Sequence, residues 1–172
     1  MHLRLATDAD APALLAIYAP YVERTAVSFE EVVPGVEEFA GRIRECNERW
    51  AWVVAELNGE AVGYAYGSLH RKRAAYRWSV EVSGYVDERF HRRGIARALY
   101  GELLARLAAR GMCNAYAGIA LPNEASLALH RALGFSDIGV FPRVGRKFGR
   151  WHDVAWLHKV LRESPPEEPL ER

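Results

Sequence analysis

The sequence contains only two cysteines, and their positions exclude the usual roles of cysteine pairs. Cys46 and Cys113 lie far apart and form no CxxC motif, so neither a disulfide framework nor a cysteine-based metal site is indicated. The histidines show no ligand spacing such as HExxH. We therefore expect no metal site, and this use of cysteine is typical of a cytoplasmic protein.

Long apolar runs and an excess of one charge are absent as well. No stretch approaches the roughly 20 apolar residues of a membrane-spanning helix, and residues 1–5 lead into polar residues rather than into a signal peptide's apolar segment. The 23 Lys and Arg residues balance the 22 Asp and Glu residues. Since the charges cancel, nothing favours nucleic acid or an anionic membrane as the main partner.

The apolar residues follow a mixture of helix and strand periods. Half of the 172 residues are hydrophobic, which suffices for one buried core. Asn58-Gly59 between two β-rich runs predicts a hairpin with a type I′ turn. We predict strands over 3–6, 52–57, 61–66, 76–86, 115–119, 135–141 and 151–160, and helices over 7–18, 36–49, 94–109 and 123–133.

This order of elements predicts a mixed α/β (α+β) domain with helices packed on a largely antiparallel sheet. One β-α-β unit is expected at an edge of that sheet. Residues 21–34 and the basic segment 70–75 have no clear period and are expected to be loops. We assign one domain to residues 1–161 and expect the Pro- and Glu-rich segment 162–172 to be a frayed tail.

Residues 85–99 carry the first candidate site. There a strand ends, an arginine-rich loop follows and Gly94 opens a helix. The free N–H groups and the dipole of a helix N-terminus suit a phosphate or pyrophosphate, and Gly94 and Ala96 would let it approach the backbone. An ordinary strand-to-helix turn with solvated arginines fits these residues equally well. The segment is neither a Walker loop nor GxGxxG.

Glu81 is the second candidate, because it lies within a strand whose other face is apolar. Val80 and Val82 point to one face, while Ser79, Glu81 and Ser83 point to the other. A carboxylate in a central strand is costly unless it is paired or faces a wet cleft. The alternative is a simple solvent-exposed face.

Two segments resemble the GNAT superfamily of acetyl-CoA-dependent N-acetyltransferases. The segment 91–96, His-Arg-Arg-Gly-Ile-Ala, resembles the superfamily signature Gln/Arg-x-x-Gly-x-Gly/Ala but has His91 at its first position. Residues 121–135 resemble the superfamily's Asn-led helix that ends in a Gly-Phe step. In that helix Asn123 and His130 are seven residues apart and share one face.

His130 stands where most superfamily members have Tyr. A His there is similar to one subgroup, the phosphinothricin and methionine sulfoximine N-acetyltransferases. The stretches 25–29, 76–83 and 144–153 also resemble that subgroup, so the likeness covers nearly all of residues 2–161.

The resemblance implies the GNAT fold, with a mixed, mostly antiparallel central sheet flanked by helices. Strands 76–86 and 115–119 would splay apart to form the acetyl-CoA cleft. Backbone groups of the first of these strands would pair with the pantetheine arm, helix amides would hold the pyrophosphate, and Asn123 would bond near the thioester. The implied acetyl-CoA residues are Tyr85, Val86, Asp87, Arg93, Gly94, Ile95, Ala96, Arg97, Ala98 and Asn123.

The resemblance also implies direct transfer of the acetyl group, with Glu81 and His130 as catalytic residues. An amine is mostly protonated at neutral pH and cannot attack a thioester until it loses a proton. Glu81 would accept that proton, and His130 would act near the sulfur as acid, base or orienter. The rival interpretation of His130 is a hydrogen-bonded structural histidine. Cys113 begins a buried-looking strand and is not expected to be a nucleophile.

For the acceptor we expect Phe29, Arg73, Tyr76 and Arg77 to bind a small amino-acid-like molecule. An arginine binds a carboxylate bidentately, and an aromatic wall fits a methionine-like side chain. Arg73 matches the subgroup position, Arg77 is its substitute, and either would otherwise be a surface arginine. A further basic group, Arg146, Lys147 and Arg150, is expected in a loop at a dimer interface, since the resemblance implies a homodimer.

These inferences predict an N-acetyltransferase for the α-amino group of a small amino acid or analogue such as phosphinothricin, methionine sulfoximine or methionine sulfone. One alternative acceptor is a peptide N-terminus or a polyamine, although the basic residues 71–73 disfavour a polycation. Another alternative is a non-catalytic acyl-CoA-binding module, which would not need Glu81 or His130.

Overall fold

The computed structural model describes residues 1–166 as one seven-stranded sheet with helices on both faces. The predicted tail therefore lies largely outside the described residues, and its boundary stays a prediction. The helices are α1 (Ala11–Arg24), α2 (Val36–Arg49), α3 (Ile95–Ala109) and α4 (Glu124–Ala132). The strands are β1 (His2–Leu5), β2 (Trp52–Leu57), β3 (Glu60–Leu69), β4 (Ser79–Val86), β5 (Asn114–Ala120), β6 (Ser136–Lys147) and β7 (Arg150–Val160).

The strands lie in the order β1-β2-β3-β4-β5-β7-β6, and every neighbouring pair is antiparallel except β4–β5. The mostly antiparallel sheet is thus confirmed. So is the hairpin at Asn58 and Gly59, whose φ angles of 52° and 82° suit a type I′ turn. None of the helices within the described residues is long and apolar enough to span a membrane.

Each face of the sheet has its own core. One cluster joins α3 to β2, β3, β4 and β5 and centres on Leu99, Leu103 and Leu107. The other joins α1 and α2 to the opposite face of β2 and β3 around Leu14, Phe39 and other buried side chains. Alternate residues of each central strand therefore enter different cores, as a period of two requires.

Three sequence predictions about elements are wrong. The helix α1 runs on to Arg24, because Val22 extends its buried apolar stripe, so the loop spans only 25–35. Strand β6 runs on to Lys147, and the loop expected at 146–150 is a tight turn at Phe148 and Gly149. A register shift between Phe141 and Gly145 breaks the alternation there and hides the strand from pattern analysis.

The third correction concerns the β-α-β unit, which lies in the middle of the sheet rather than at an edge. It consists of β4, α3 and β5, and the β6–β7 hairpin adds two strands beyond β5. The parallel pair is short, since only Ser79–Glu81 pair with Asn114–Tyr116. Beyond these residues the two strands separate, and the sheet has a central gap.

Candidate active site

Three adjoining spaces lie along this gap, and together they are called the passage. It consists of a groove of about 500 Å³ at the start of α3 (the helix-end groove), a neck of about 80 Å³ and a cavity of about 470 Å³ (the Glu81 cavity). The neck shares Gly84, Tyr100 and Asn123 with the groove, and it shares Val82, Ser83 and Gly118 with the cavity. The three spaces are therefore adjoining parts of one site.

The helix-end groove is lined by backbone that is suited to an anion. Gly94 caps α3 with φ of 77°, and the first intrahelical bond runs from Ala98 N–H to Gly94 O at 3.1 Å. The amides of residues 95–97 have no intrahelical hydrogen-bond acceptor. Gly94, Ile95, Ala96 and Arg97, four of the residues expected to hold the pyrophosphate, line the groove. Arg93 instead packs over the Phe90 ring at 5.2 Å, and neither Arg93 nor Ala98 lines the groove.

His91, the departure from the family signature, is bound to the end of β4. Its Nε2 lies 2.9 Å from both Val86 O and Tyr21 Oη, and the Tyr21 hydroxyl donates to Val86 O at 2.6 Å. Burial raises the pKa of Tyr21, which keeps its hydroxyl protonated as a donor. Tyr21, which sequence reasoning missed, thus joins α1 to the groove.

The backbone of β4 faces the gap only at alternate residues. Asp87 N–H donates to Val62 O of β3. Since backbone orientation alternates along a strand, the backbone groups of Asp87 and Tyr85 both point toward β3. Gly84 and Val86 direct theirs toward the gap. Of the three residues predicted for the pantetheine arm, only Val86 has this orientation, and Gly84 was missed. The Asp87 carboxylate accepts hydrogen bonds from Arg89, which lowers the pKa of Asp87.

Asn123 and His130 both line the neck, as the shared helix face predicts. Asn123 caps α4 by accepting the Ser126 N–H at 3.2 Å. His130 is 2% exposed and packs between the rings of Tyr100 and Phe135. Its Nδ1 lies 2.8 Å from Ser126 O, a pure acceptor, so Nδ1 carries the proton.

That tautomer leaves Nε2 of His130 unprotonated. Nε2 is buried and has no hydrogen-bond partner among the described residues. Burial lowers the pKa of His130, so the ring is neutral at neutral pH. The ring therefore presents a lone pair rather than an acidic proton.

Glu81 lies at the far end of the passage, on the same face of β4 as Ser83 and Tyr85. Its side chain is 28% exposed, and its Oε1 is 3.0 Å from His70 Nδ1 and 4.0 Å from Arg71 Nη1. Sequence reasoning missed both neighbours. The strand register contains the signal for His70, because His70 follows two residues after Ser68, the partner of Glu81.

Of the four residues predicted for the acceptor, only Phe29 lines the Glu81 cavity. The Tyr76 ring makes a T-shaped contact with the His70 ring, with 5.7 Å between their centroids. Arg77 donates to Ala74 O, and Arg73 is exposed just before a short 3₁₀ turn. The late strands add Phe141, Val144, Val154 and Trp156 to the cavity wall, and sequence reasoning missed these four residues too.

Lys147 has an internal role rather than the interface role that the sequence suggested. It is 3% exposed, and its Nζ donates to Val22 O and Ser28 O at 2.7 Å each. Desolvation lowers the pKa of Lys147. The residue thereby ties the β6–β7 hairpin to the segment that carries Phe29.

Comparison with protein families and curated proteins gives a consistent result. Residues 3–156 match the family described as "Acetyltransferase (GNAT) domain". The chain is 35% identical to phosphinothricin N-acetyltransferase of Streptomyces viridochromogenes over 170 residues, which cover 99% of this chain and 93% of that protein. It is also 35% identical to an L-methionine sulfoximine/L-methionine sulfone acetyltransferase of Pseudomonas paraeruginosa, over 92% of this chain and 94% of that protein.

Solved structures agree with these matches. A GNAT superfamily phosphinothricin acetyltransferase from Sinorhizobium meliloti, crystallised in complex with AcCoA, has a TM-score of 0.93 and 37% identity, covering 98% of this chain and 94% of that one. A ribosomal-protein-alanine N-acetyltransferase from Brucella melitensis has a TM-score of 0.91 and 38% identity, covering 93% and 99%. The passage through the sheet thus lies in a fold that is known to bind acetyl-CoA.

Proposed function

The chain belongs to the GNAT acetyltransferase family and is an acetyl-CoA-dependent N-acetyltransferase, and we propose that it acetylates the α-amino group of a small amino acid or analogue. Phosphinothricin, methionine sulfoximine and methionine sulfone are the acceptors that the relatives' names suggest. The observation that carries the proposal is the passage itself, which joins an anion-binding helix end to a cavity that contains Glu81.

We propose that acetyl-CoA enters from the helix-end groove. It supplies the acetyl group as a thioester. The amides of residues 93–98, at the start of α3, hold its pyrophosphate. Four of these six residues line the groove, which supports this role. The pantetheine arm pairs with the end of β4, where the Gly84 backbone and the Val86 N–H face outward rather than those of Tyr85 and Asp87, while Val86 O already accepts from Tyr21. Asn123 lies at the neck, beside the thioester end.

Glu81 is proposed as the base. In its ionised form it accepts a proton from the acceptor's ammonium group, directly or through water, and frees the lone pair that attacks the acetyl carbonyl. Its place at the opposite end of the neck from the groove supports this role, since the amine then approaches from the side away from the cofactor.

We propose that His130 orients the reacting groups and does not supply a proton. Its Nδ1–H is committed to Ser126 O, and burial lowers the pKa of the ring. The free Nε2 can accept a hydrogen bond in the neck. The thiolate of CoA then leaves as an anion and takes its proton from solvent.

The acceptor's carboxylate is proposed to bind the arginines of the loop that follows β3. Arg71 lies nearest to Glu81, at 4.0 Å, and Arg73 and Arg77 belong to the same loop. The apolar wall with Phe29 and Trp156 suits the methyl and methylene groups of a methionine-like side chain. Substituting each of the three arginines by Ala identifies the contributor as the one that raises the acceptor KM most.

A protein or peptide N-terminus is the second candidate acceptor, because a solved relative at 38% identity is described as a ribosomal-protein-alanine N-acetyltransferase. Thiol release from acetyl-CoA, measured against amino-acid analogues, common amino acids, a polyamine and an Ala-initiated peptide, distinguishes the candidates. We expect turnover with phosphinothricin and the sulfoximine and sulfone compounds. Turnover confined to the peptide would replace the proposed acceptor, and acetyl-CoA binding without any turnover would indicate the non-catalytic alternative.

A homodimer and a cytoplasmic location complete the proposal. The edge strand β6 exposes apolar side chains, among them Ile138 at 57% and Val140 at 51% exposure, which supports pairing with a second copy. Sedimentation of Ile138→Glu tests this, with Val32→Glu as a control at an exposed site outside the strand. The two buried cysteines without a disulfide support a reducing compartment.

A further inference from the structure

His70 is the polar side chain in closest contact with the proposed base. Its Nδ1 lies 3.0 Å from Glu81 Oε1, and its side chain is only 12% exposed. An ionised carboxylate can only accept hydrogen bonds, so the atom that contacts an ionised Glu81 must be a donor. The His70 ring therefore carries its proton on Nδ1 whenever Glu81 is ready to act as a base.

A stack of aromatic rings sets the plane of the His70 ring. The ring lies parallel to Tyr116, with 4.5 Å between centroids and 11° between planes, and Tyr116 stacks in turn on His158 at 4.9 Å. His158 is anchored by Nε2 to Asn114 Oδ1 at 2.8 Å. The Tyr76 ring makes a T-shaped contact with His70, with 5.7 Å between centroids. A ring packed against two aromatic neighbours can turn little about χ2, so Nδ1 stays directed at Glu81.

The hydrogen bond from His70 limits where the Glu81 carboxylate can lie in the cavity. A glutamate side chain has three rotatable bonds, and the Glu81 cavity leaves space in which the carboxylate could move. A hydrogen bond to Oε1 leaves Oε2 available to the acceptor amine in a fixed direction. A base that is held within reach of its proton loses less entropy in the transition state.

We infer that His70 is a positioning residue of the acetyl transfer, which donates Nδ1–H to Glu81 and aims the carboxylate at the acceptor amine. This inference rests on the proposed function, in which Glu81 is the base. Tyr76, which the sequence suggested as an acceptor-binding residue, then acts on the site through the His70 ring. The charged and titratable groups that face the pair are Arg71, Tyr76, Tyr116 and His158.

Two substitutions separate the hydrogen bond from the packing of the ring. His70→Phe keeps a flat ring on Tyr116 but has no donor, while His70→Asn loses the stack but places an amide N–H near the position of Nδ1. We expect His70→Phe to lower kcat by about tenfold to hundredfold, the range for a lost hydrogen bond to a charged group, with little change in acetyl-CoA affinity or melting temperature. We expect His70→Asn to restore most of kcat.

Rescue by the Asn variant provides a readout that a purely structural residue would not give. His70→Asn restores a hydrogen-bond donor to Glu81 but not the aromatic ring, so recovery of kcat reports the donor and not the packing. Equal loss of kcat in the Phe and Asn variants, or no loss in either, would overturn the inference.

An NMR measurement without any acceptor tests independently whether Nδ1 of His70 carries the proton. Long-range ¹H–¹⁵N spectra of the wild-type imidazoles, with the His70 signals assigned by their loss in His70→Asn, report which ring nitrogen carries the proton. We expect the Nδ1–H form at neutral pH, and the Nε2–H form would overturn the inference. If the wild type acetylated no amine, the proposed function would fail, while the tautomer would still decide the role of His70.

Discussion

At the scale of single residues, the contact between Phe29 and Gly145 shapes the Glu81 cavity. A Cβ built on Gly145 overlaps the Phe29 ring, so the ring keeps its place only because position 145 is glycine. Phe29 was predictable from the family resemblance. Its glycine partner on β6 was not, because their contact joins segments more than a hundred residues apart.

Gly145→Ala should therefore displace Phe29 from the cavity wall. We expect the acceptor KM to rise several-fold and the free energy of unfolding to fall by about 1–3 kcal/mol, as in other overpacked sites. Acetyl-CoA affinity should not change. Steady-state kinetics and thermal melts test this, with Gly139→Ala as the matched control, since its added Cβ has no neighbour within 4 Å. Equal kinetics in the two variants would contradict the assigned wall.

His130 should make the stability of the protein depend on pH. Burial lowers its pKa in the folded state below the ordinary 6.5, so below that pH the unfolded chain binds more protons than the folded one. Stability from this source is complete above about pH 6.5 and falls as the pH drops toward the folded-state pKa. We expect His130→Gln to melt with a shallower dependence between pH 7 and 5.

His2→Gln is the control for that experiment, because the His2 side chain is 71% exposed. The pKa of His158 is lowered by burial too, so the wild-type slope includes a contribution from both rings. A slope that is unchanged in His130→Gln would contradict a buried neutral ring in the neck.

At the scale of elements, the glycine that caps α3 and the glycine within α3 differ in backbone conformation. Gly94 has φ of 77° at the N-cap, whereas Gly101 lies within the helix at an open position. An alanine at Gly94 meets left-handed strain of about 1–2 kcal/mol, and an alanine at Gly101 gains about 0.5–1 kcal/mol in helix propensity. We expect Gly94→Ala to weaken acetyl-CoA binding and Gly101→Ala to stabilise the protein without affecting it.

Isothermal titration with acetyl-CoA and thermal melts of both variants test this pair. Unchanged acetyl-CoA affinity in Gly94→Ala would contradict the assignment of the helix-end groove. A loss of affinity in Gly101→Ala would show that changes anywhere in α3 act on the groove.

Elements whose sequence signals are local were predicted with the right bounds. The helix α2 and the strand β2 have the predicted bounds, because caps, turns and apolar periods lie within a few residues. The strand β6 was cut short, because a bulge interrupts its period near Arg143, where φ is 52°. Local patterns also carry no information about strand order, so the β-α-β unit was placed at the wrong part of the sheet.

At the scale of the whole molecule, the site arises where segments distant in sequence meet. The family motifs predict Glu81, His130 and the start of α3, since each motif is contiguous in sequence. His70, Arg71 and Tyr21 were missed, because they reach the site from β3 and α1 through the sheet register and helix packing. Glu81 lies on β4 and His70 directly follows the neighbouring strand β3, and only the three-dimensional fold reveals their contact.

In the proposed reaction, one passage through the sheet delivers an amine to Glu81 and acetyl-CoA to the opposite end. The most direct test compares Glu81→Gln with Glu37→Gln, an equal change on the exposed first turn of α2. Turnover and acetyl-CoA affinity are measured for both variants. We predict that Glu81→Gln lowers kcat by about 10²–10⁴-fold, the usual contribution of a general base, while acetyl-CoA binds as in the wild type. Full activity in Glu81→Gln, or loss of activity only through lost acetyl-CoA binding, would contradict the account.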